Sequence, residues 1–272
     1  MVWKTKDGLS LKGRYWSCEG QVLMRLLIIH GLGEHCGRYG HVAQYFNAKG
    51  VEVFAFDQRG HGLSEGKRGF SPTHAHLLED LRVVKNSIEK EDGIPLFLYG
   101  HSFGGNVLSA YLMEYGVSDI CGAIISAAWF KLAFEPPKFE VTLGRLMNKI
   151  WPAFSQSNQL KIEDLTYDEK VNKAYAEDPL VHDQITAALF VNAYAAGLNN
   201  MHKGQLLKVP SLIIHGEDDP IISQDGSKAL YESAKKSTLK IWEKTKHEPH
   251  NDLRKNEVLE YNFQWMESIA QK

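Results

Sequence analysis

Short apolar segments of strand length alternate with longer helical segments along most of this 272-residue chain, and this alternation constrains the fold more than any other feature. It is typical of an α/β protein with a mostly parallel sheet. Two segments near the start, 9–17 and 22–29, are predicted to pair as an antiparallel hairpin. The length suits one domain spanning 1–272. The later strand-length segments are 51–56, 95–99, 121–126, 211–215 and 239–243.

The alternation stops between about residues 129 and 200, where helical patterns carry scattered aromatic, proline and asparagine residues and no clear strand. It resumes at 211. We therefore predict a helical insertion of about 70 residues, placed at the carboxyl edge of the strands where open α/β sheets bind their ligands.

Charge and cysteine content exclude several classes of protein. The formal net charge is −2, whereas a phosphate-binding surface requires a basic excess, so no nucleic-acid partner is expected. Cys18, Cys36 and Cys121 are far apart and form no CxxC pair, which predicts free thiols and no structural metal. No secretory signal and no run of the roughly 20 apolar residues that span a bilayer is found. We expect a cytoplasmic protein whose membrane contact, where it occurs, is peripheral.

The pentapeptide Gly100–Gly104 has the pattern GxSxG. It follows the apolar segment at 95–99 and opens a helical segment rich in small residues. This strand, turn and helix setting is that of a nucleophile elbow, in which a tight turn lifts the serine above the sheet. Ser102 is therefore the candidate nucleophile.

A serine hydroxyl requires a general base, and the base requires a group that orients it. With this elbow they are expected in the order Ser, acid, His, after later strands. Asp218 and Asp219 are both candidate acids, and Asp219 is preferred because it directly precedes Pro220 and the next helical segment. His247 lies nearest the end of the last strand and is the candidate base, with His250 at the rim of the site.

An oxyanion hole requires two backbone N–H groups directed at one point. Phe103, directly after the nucleophile, supplies one candidate donor. The segment His30–Gly33, at the end of an early apolar run, supplies the other through the N–H of Leu32.

Four blocks of the sequence together resemble the monoacylglycerol lipases and related lysophospholipases. HGLGEH at 30–35, with the Arg-Tyr pair at 38–39, matches HGxGEHxxRY. The blocks at 57–66, 100–105 and 247–250 resemble the D-x-R-G-H-G-x-S-x-G loop, the GHSMGG elbow and the H-x-L-H motif of that family, with Pro249 in place of the Leu. Their order and spacing are those of the family.

This resemblance implies an α/β-hydrolase fold, with an eight-stranded, mostly parallel sheet, helices on both faces and a helical cap. It implies a serine esterase that hydrolyses monoacylglycerols through an acyl-enzyme, without a metal or an organic cofactor. The triad it implies is Ser102, Asp219 and His247, with oxyanion donors Leu32 and Phe103. The residues it places near the glycerol head group are Glu34, Arg38 and His250.

Other functions stay open at this point. A lysophospholipase or a general short-chain carboxylesterase has the same chemistry. A non-catalytic ligand-binding protein on the same fold is an alternative of a different class, although every triad position here has a candidate.

An amphipathic helix is predicted within the insertion, because apolar residues recur there at helical spacing and basic residues lie nearby. Its apolar face either packs within the cap and lines an acyl tunnel, or contacts a membrane, and the two roles are compatible. The apolar residues are Leu143, Leu146, Met147, Ile150 and Trp151, and the basic ones are Lys138, Arg145 and Lys149.

Overall fold

The computed structural model describes residues 1–88, 93–115 and 119–271. The strands in these ranges are β1 (Val2–Lys4), β2 (Ser10–Trp16), β3 (Met24–Ile29), β4 (Val51–Phe56), β5 (Leu96–His101), β6 (Gly122–Ser126), β7 (Ser155–Ser157), β8 (Gln184–Thr186), β9 (Ser211–Gly216) and β10 (Ser237–Trp242). The α-helices are α1 (Gly40–Asn47), α2 (His74–Asn86), α3 (Phe103–Glu114), α4 (Lys138–Ile150), α5 (Glu169–Glu177), α6 (Ala187–Asn200), α7 (Gln224–Ser233) and α8 (Lys255–Ala270).

Eight of these strands form one sheet in the order β1-β2-β4-β3-β5-β6-β9-β10. The neighbours from β4 to β10 pair in parallel, whereas β1 with β2 and β2 with β4 pair antiparallel. The predicted mostly parallel eight-stranded sheet is confirmed. Because parallel strands end at the same edge, the residues after β3, β5, β9 and β10 come together there.

The predicted hairpin between the first two segments is wrong. β2 pairs with β1 and β4, and β4 lies between it and β3. All six residues of β3 are buried, so this strand requires partners and cover on all sides, whereas the partly exposed β2 suits a place near the edge. Strand β1 is only three residues long, which is too short to give a periodic signal in the sequence.

Helices cover both faces of the sheet, as predicted. Alternate residues of β3 point to opposite faces. Leu27 and Ile29 belong to the apolar cluster under α2, α3 and α7, and Leu26 and Ile28 belong to the cluster under α1 and α8. The sheet is therefore buried on both sides, and only its edges and ends remain for a ligand.

The segment between β6 and β9 leaves the sheet and carries α4, α5 and α6. We call this segment the cap. The expectation that it holds no strand is wrong, because β7 and β8 form a small antiparallel pair. Their sequences, SQS and QIT, are short and largely polar, so no apolar alternation marks them. In the described part of the chain, no helix combines the length and apolar composition required to cross a bilayer.

Candidate active site

A sharp turn between β5 and α3 presents the hydroxyl of Ser102 at the carboxyl edge of the sheet. Ser102 has φ 52° and ψ −116°, a region that residues other than glycine avoid unless the surrounding structure enforces it. Close packing explains the flanking glycines. A Cβ on Gly104 would overlap the backbone oxygen of Ile29, and one on Gly100 would lie 2.7 Å from the oxygen of Gly104.

Three side chains from distant parts of the chain meet at this turn. His247 Nε2 lies 2.9 Å from the Oγ of Ser102, and His247 Nδ1 lies 2.7 Å from Oδ2 of Asp219. The other carboxylate oxygen of Asp219 accepts the backbone N–H groups of Ile221 and Ile222 at 2.9 and 3.0 Å, which fixes its orientation. This geometry allows Nε2 to accept the serine proton while the carboxylate holds the Nδ1–H tautomer.

The structure distinguishes between the neighbouring carboxylates and histidines. Asp218 is exposed and accepts the hydroxyl of Tyr167 at 3.0 Å, away from His247. His250 is fully buried and stacks on Tyr39, with ring centroids 4.9 Å apart. His247 therefore contacts Ser102 and Asp219 contacts His247, whereas Asp218 and His250 take no part in these contacts.

The electrostatics of the pair suit a general base. Burial alone lowers the pKa of His247, but the charge and hydrogen bond of Asp219 outweigh burial and raise this pKa above its usual value. Burial alone raises the pKa of Asp219, but His247 and His215 outweigh it and hold this pKa well below its usual range. An imidazolium formed during reaction is therefore stabilised by a carboxylate that stays ionised.

The loop after β3 passes directly against the nucleophile. A Cβ on Gly31 would lie 3.4 Å from the Cβ of Ser102, and Leu32 lines the same cavity as the serine. In the following residue, the carbonyl of Gly33 accepts the backbone N–H of His182 from the cap at 2.8 Å. The loop with the candidate donor Leu32 is thus joined by main-chain bonding to the cap. Phe103, at the first position of α3, has the N–H that a helix leaves without an internal partner.

A cavity of about 760 Å³ opens above Ser102. Gly31, Leu32, His101 and His247 line the cavity beside Ser102, and most of its remaining walls are apolar. Both the cap and the loop after β9 contribute to those walls, through residues such as Trp129, Leu132, Leu143, Met147, Phe190 and Ile222. Such a site suits a ligand with a long apolar part and one polar group near the serine.

The three residues expected near the head group are placed differently from one another. Glu34 lines the cavity, where it accepts the Gly31 N–H at 2.6 Å and the Tyr39 hydroxyl at 2.9 Å. Arg38 and His250 do not line this cavity, and their expected place near the head group stays a prediction. Arg38 lies behind Glu34, donates to it at 2.6 Å and donates to Glu248 at 2.8 and 2.7 Å, so two buried carboxylates satisfy its charge.

Glu248 is a cavity residue that sequence reasoning missed. It accepts both terminal nitrogens of Arg38, at 2.8 and 2.7 Å, and an amide N–H of Asn251 at 2.6 Å. The sequence signal that could have identified Glu248 is its place directly after the candidate base His247, where a charged side chain is brought into the buried site.

Glu34, His101 and Glu248 place three potential metal-binding atoms within 4.8 Å of one another. The group does not suit a cation, because the guanidinium of Arg38 already binds both carboxylates and would repel a second positive charge.

Comparison with known proteins gives a consistent result. The family model described as "Serine aminopeptidase, S33" matches residues 20–254. A monoacylglycerol lipase of Mycolicibacterium smegmatis is 30% identical over 247 residues, covering 89% of this chain and 88% of that protein. A crystal structure of the Paleococcus ferrophilus monoacylglycerol lipase has 30% identity and a TM-score of 0.86, covering 95% of this chain and 99% of the other.

One relative is much longer than this chain. An uncharacterized abhydrolase domain-containing protein of Dictyostelium discoideum is 32% identical over 265 residues, which are 96% of this chain but 28% of that protein.

Proposed function

The chain belongs to the serine aminopeptidase S33 family, as a carboxylic ester hydrolase similar to monoacylglycerol lipases, and we propose that it hydrolyses monoacylglycerols to glycerol and free fatty acid. One observation carries this proposal. The contacts from Ser102 to His247 and from His247 to Asp219, at 2.9 and 2.7 Å, lie at the base of a largely apolar cavity.

The chemistry proceeds in two steps through an acyl-enzyme. Ser102 Oγ attacks the ester carbonyl while His247 Nε2 takes its proton, and the N–H groups of Leu32 and Phe103 stabilise the resulting oxyanion. His247 then protonates the departing glycerol oxygen as the carbon–oxygen bond breaks. A water deprotonated by His247 attacks the acyl-enzyme, and the fatty acid leaves as the serine regains its proton.

The apolar walls of the cavity support a long-chain acyl group. Each buried methylene contributes about 0.8 kcal/mol to binding, so a cavity of this size favours a lipid over a short ester.

Charge supports a neutral head group over a phosphate. Among the described residues that line the cavity, Glu34, Glu140, Asp164 and Glu248 are acidic and Lys161 is the one lysine or arginine. A lysophospholipid phosphate brought to this cavity meets an excess of acidic residues, which the single guanidinium of Arg38 behind Glu34 and Glu248 offsets only in part, whereas an uncharged glycerol is not repelled.

The test is a substrate panel run on wild-type protein and on Ser102→Ala. The panel contains monoacylglycerols, a lysophospholipid, short p-nitrophenyl esters and an amino-acid p-nitroanilide. We expect the highest kcat/KM for a long-chain monoacylglycerol, covalent labelling of wild type by a fluorophosphonate, and neither activity nor labelling for Ser102→Ala. A higher kcat/KM for the lysophospholipid or the anilide would replace the proposed substrate, and an unlabelled, inactive wild type would favour a ligand-binding protein.

Peripheral membrane contact through α4 is part of the same proposal. Leu143 and Met147 line the cavity, and Leu143, Leu146 and Ile150 leave 52%, 51% and 70% of their surface exposed. Trp151, directly after the helix, leaves 56% exposed. The basic residues Lys138, Arg145 and Lys149 on the same helix suit an anionic lipid surface.

The three cysteines are free, which supports a reducing, cytoplasmic environment.

Sedimentation with vesicles of phosphatidylcholine and phosphatidylserine tests this contact. Leu146→Glu with Ile150→Glu is expected to lower the bound fraction. Leu23→Glu, an equally exposed leucine at the opposite edge of the sheet, serves as the control. Equal binding of both variants would contradict contact through α4.

A further inference from the structure

A buried ion pair joins the loop that carries the candidate base to the loop that carries a candidate oxyanion donor. Glu248 directly follows His247 and accepts both terminal nitrogens of Arg38, at 2.8 and 2.7 Å. Arg38 also donates to Glu34 at 2.6 Å, and Glu34 accepts the N–H of Gly31, the residue before Leu32. We propose that Glu248 and Arg38 are positioning residues that fix the base and the oxyanion donor relative to each other across Ser102.

Burial makes this contact unlike a surface salt bridge. The side chain of Arg38 is 9% exposed, and those of Glu34 and Glu248 are 3% exposed. A buried ion pair is often no more stabilising than apolar residues of the same volume, so stability alone does not account for it. A planar guanidinium held by two oxygens has a defined orientation, which a device for positioning requires.

Further contacts hold the pair on the cap side. The guanidinium of Arg38 lies over the ring of Tyr175 in α5, 4.6 Å from its centroid. The backbone N–H of Glu248 donates to the carbonyl of Leu165, also in the cap, at 2.9 Å. With Asn251 on the remaining side, both oxygens of Glu248 are occupied by protein donors. Glu248 lines the cavity, yet its bonding suits positioning better than direct recognition of substrate.

The pair also acts on the charge of His247. The groups that face this ring are Asp219, Glu248, Glu34, His101 and Ser102. Asp219 raises the pKa of His247 most, and Glu248 and Glu34 raise it further, against the effect of burial. Loss of the negative charge at 248 therefore favours the neutral imidazole, so activity should persist to lower pH.

The test compares Glu248→Gln and Arg38→Lys with wild type. The first keeps the shape and removes the charge, and the second keeps the charge and removes the two-point contact. The control is Glu257→Gln, which breaks an exposed two-point contact with Arg254. Values of kcat and KM for a p-nitrophenyl ester are measured across pH, with thermal unfolding as a check of folding.

Both variants are expected to lower kcat by about 10- to 100-fold with KM changed by less than about threefold, as a misplacement of up to 1 Å gives. The acid limb should move to lower pH in Glu248→Gln, and Glu257→Gln should match wild type. Unchanged kcat, or a raised KM at unchanged kcat, would overturn the proposal. If Glu248→Gln does not fold, unchanged kcat in Arg38→Lys decides against it.

This inference rests on the proposed roles of Leu32 and His247. The two failures are distinguishable. A wild-type protein inactive toward every ester contradicts the proposed function, whereas an active wild type with variants that match it contradicts the positioning role alone.

Discussion

Replacing Asp219 by asparagine should disable the base while changing a single atom. One oxygen of Asp219 accepts two backbone N–H groups, from Ile221 and Ile222, so the amide oxygen of asparagine must occupy that place. The amide nitrogen then faces Nδ1 of His247 and also Nε2 of His215, which lies 3.1 Å from Oδ2 in the native protein.

The amide nitrogen donates where the carboxylate accepted. His247 is then held with its proton on Nε2, where it can no longer take the proton of Ser102. His215 Nε2–H already donates to the carbonyl of Ile222 at 3.0 Å. In the variant this N–H group faces the amide N–H group of the asparagine, and two donors repel each other. The substitution therefore lowers both catalysis and stability.

The magnitude follows from the 2.7 Å contact. With an effective dielectric of about 20, a carboxylate and an imidazolium at that separation attract by roughly 6 kcal/mol. At about 1.4 kcal/mol for each tenfold change in rate, this corresponds to a loss of about 10⁴-fold in kcat. The same loss is known for this substitution in serine proteases, about 10⁴-fold, where the wrong tautomer is the cause.

The assay is kcat for p-nitrophenyl ester hydrolysis per folded protein, with the folded fraction measured by circular dichroism. Asp218→Asn is the matched control. It removes a neighbouring carboxylate that contacts Tyr167 at the surface, and its kcat should stay within about twofold of wild type. A loss smaller than about tenfold for Asp219→Asn, or equal losses for both variants, would refute the assignment of the acid.

Two further predictions concern pH and the glycines. The acid limb of kcat/KM should have its midpoint above pH 6.5, because Asp219 raises the pKa of His247 while burial lowers that of His101 to about 3; a midpoint at or below pH 6 contradicts this. Gly33→Ala should lower the thermal midpoint and kcat, because the added Cβ would overlap the carbonyl oxygen of His182. Gly20 has the same φ of +78° but no atom within 4 Å of such a Cβ, so Gly20→Ala is the control and should cost only about 1 kcal/mol in stability.

Much of the fold could be predicted because long buried strands leave a clear pattern. Strands such as β3, β4 and β9 consist of buried residues throughout, and their apolar runs appear in the sequence almost residue for residue. The short strands β1, β7 and β8 carry no such run, and their formation depends on pairing partners distant in the chain. The misplaced hairpin has the same origin, since strand order is decided by packing across the sheet.

At the candidate site, the turn at Ser102 could be predicted from the pentapeptide Gly100–Gly104, because its glycines allow backbone contacts that a Cβ would prevent. The choice between Asp218 and Asp219 depended on which carboxylate receives the two N–H groups of the following turn, and spacing alone could not decide it. The placement of Arg38 could not be predicted either, because Glu248, its partner, is 210 residues away in the chain.

The main-chain bond from His182 to Gly33 bears on how proteins of this architecture can be engineered. Exchanging the cap for that of another hydrolase is a direct way to seek a new specificity, if the cap determines only which substrate binds and the sheet determines only the chemistry. In this chain, a cap taken from another protein that lacks a backbone N–H donor at the place of His182 would free the loop after β3, which faces Ser102. Chimeras should therefore retain residues around 182 from the parent, or carry a replacement donor for that carbonyl.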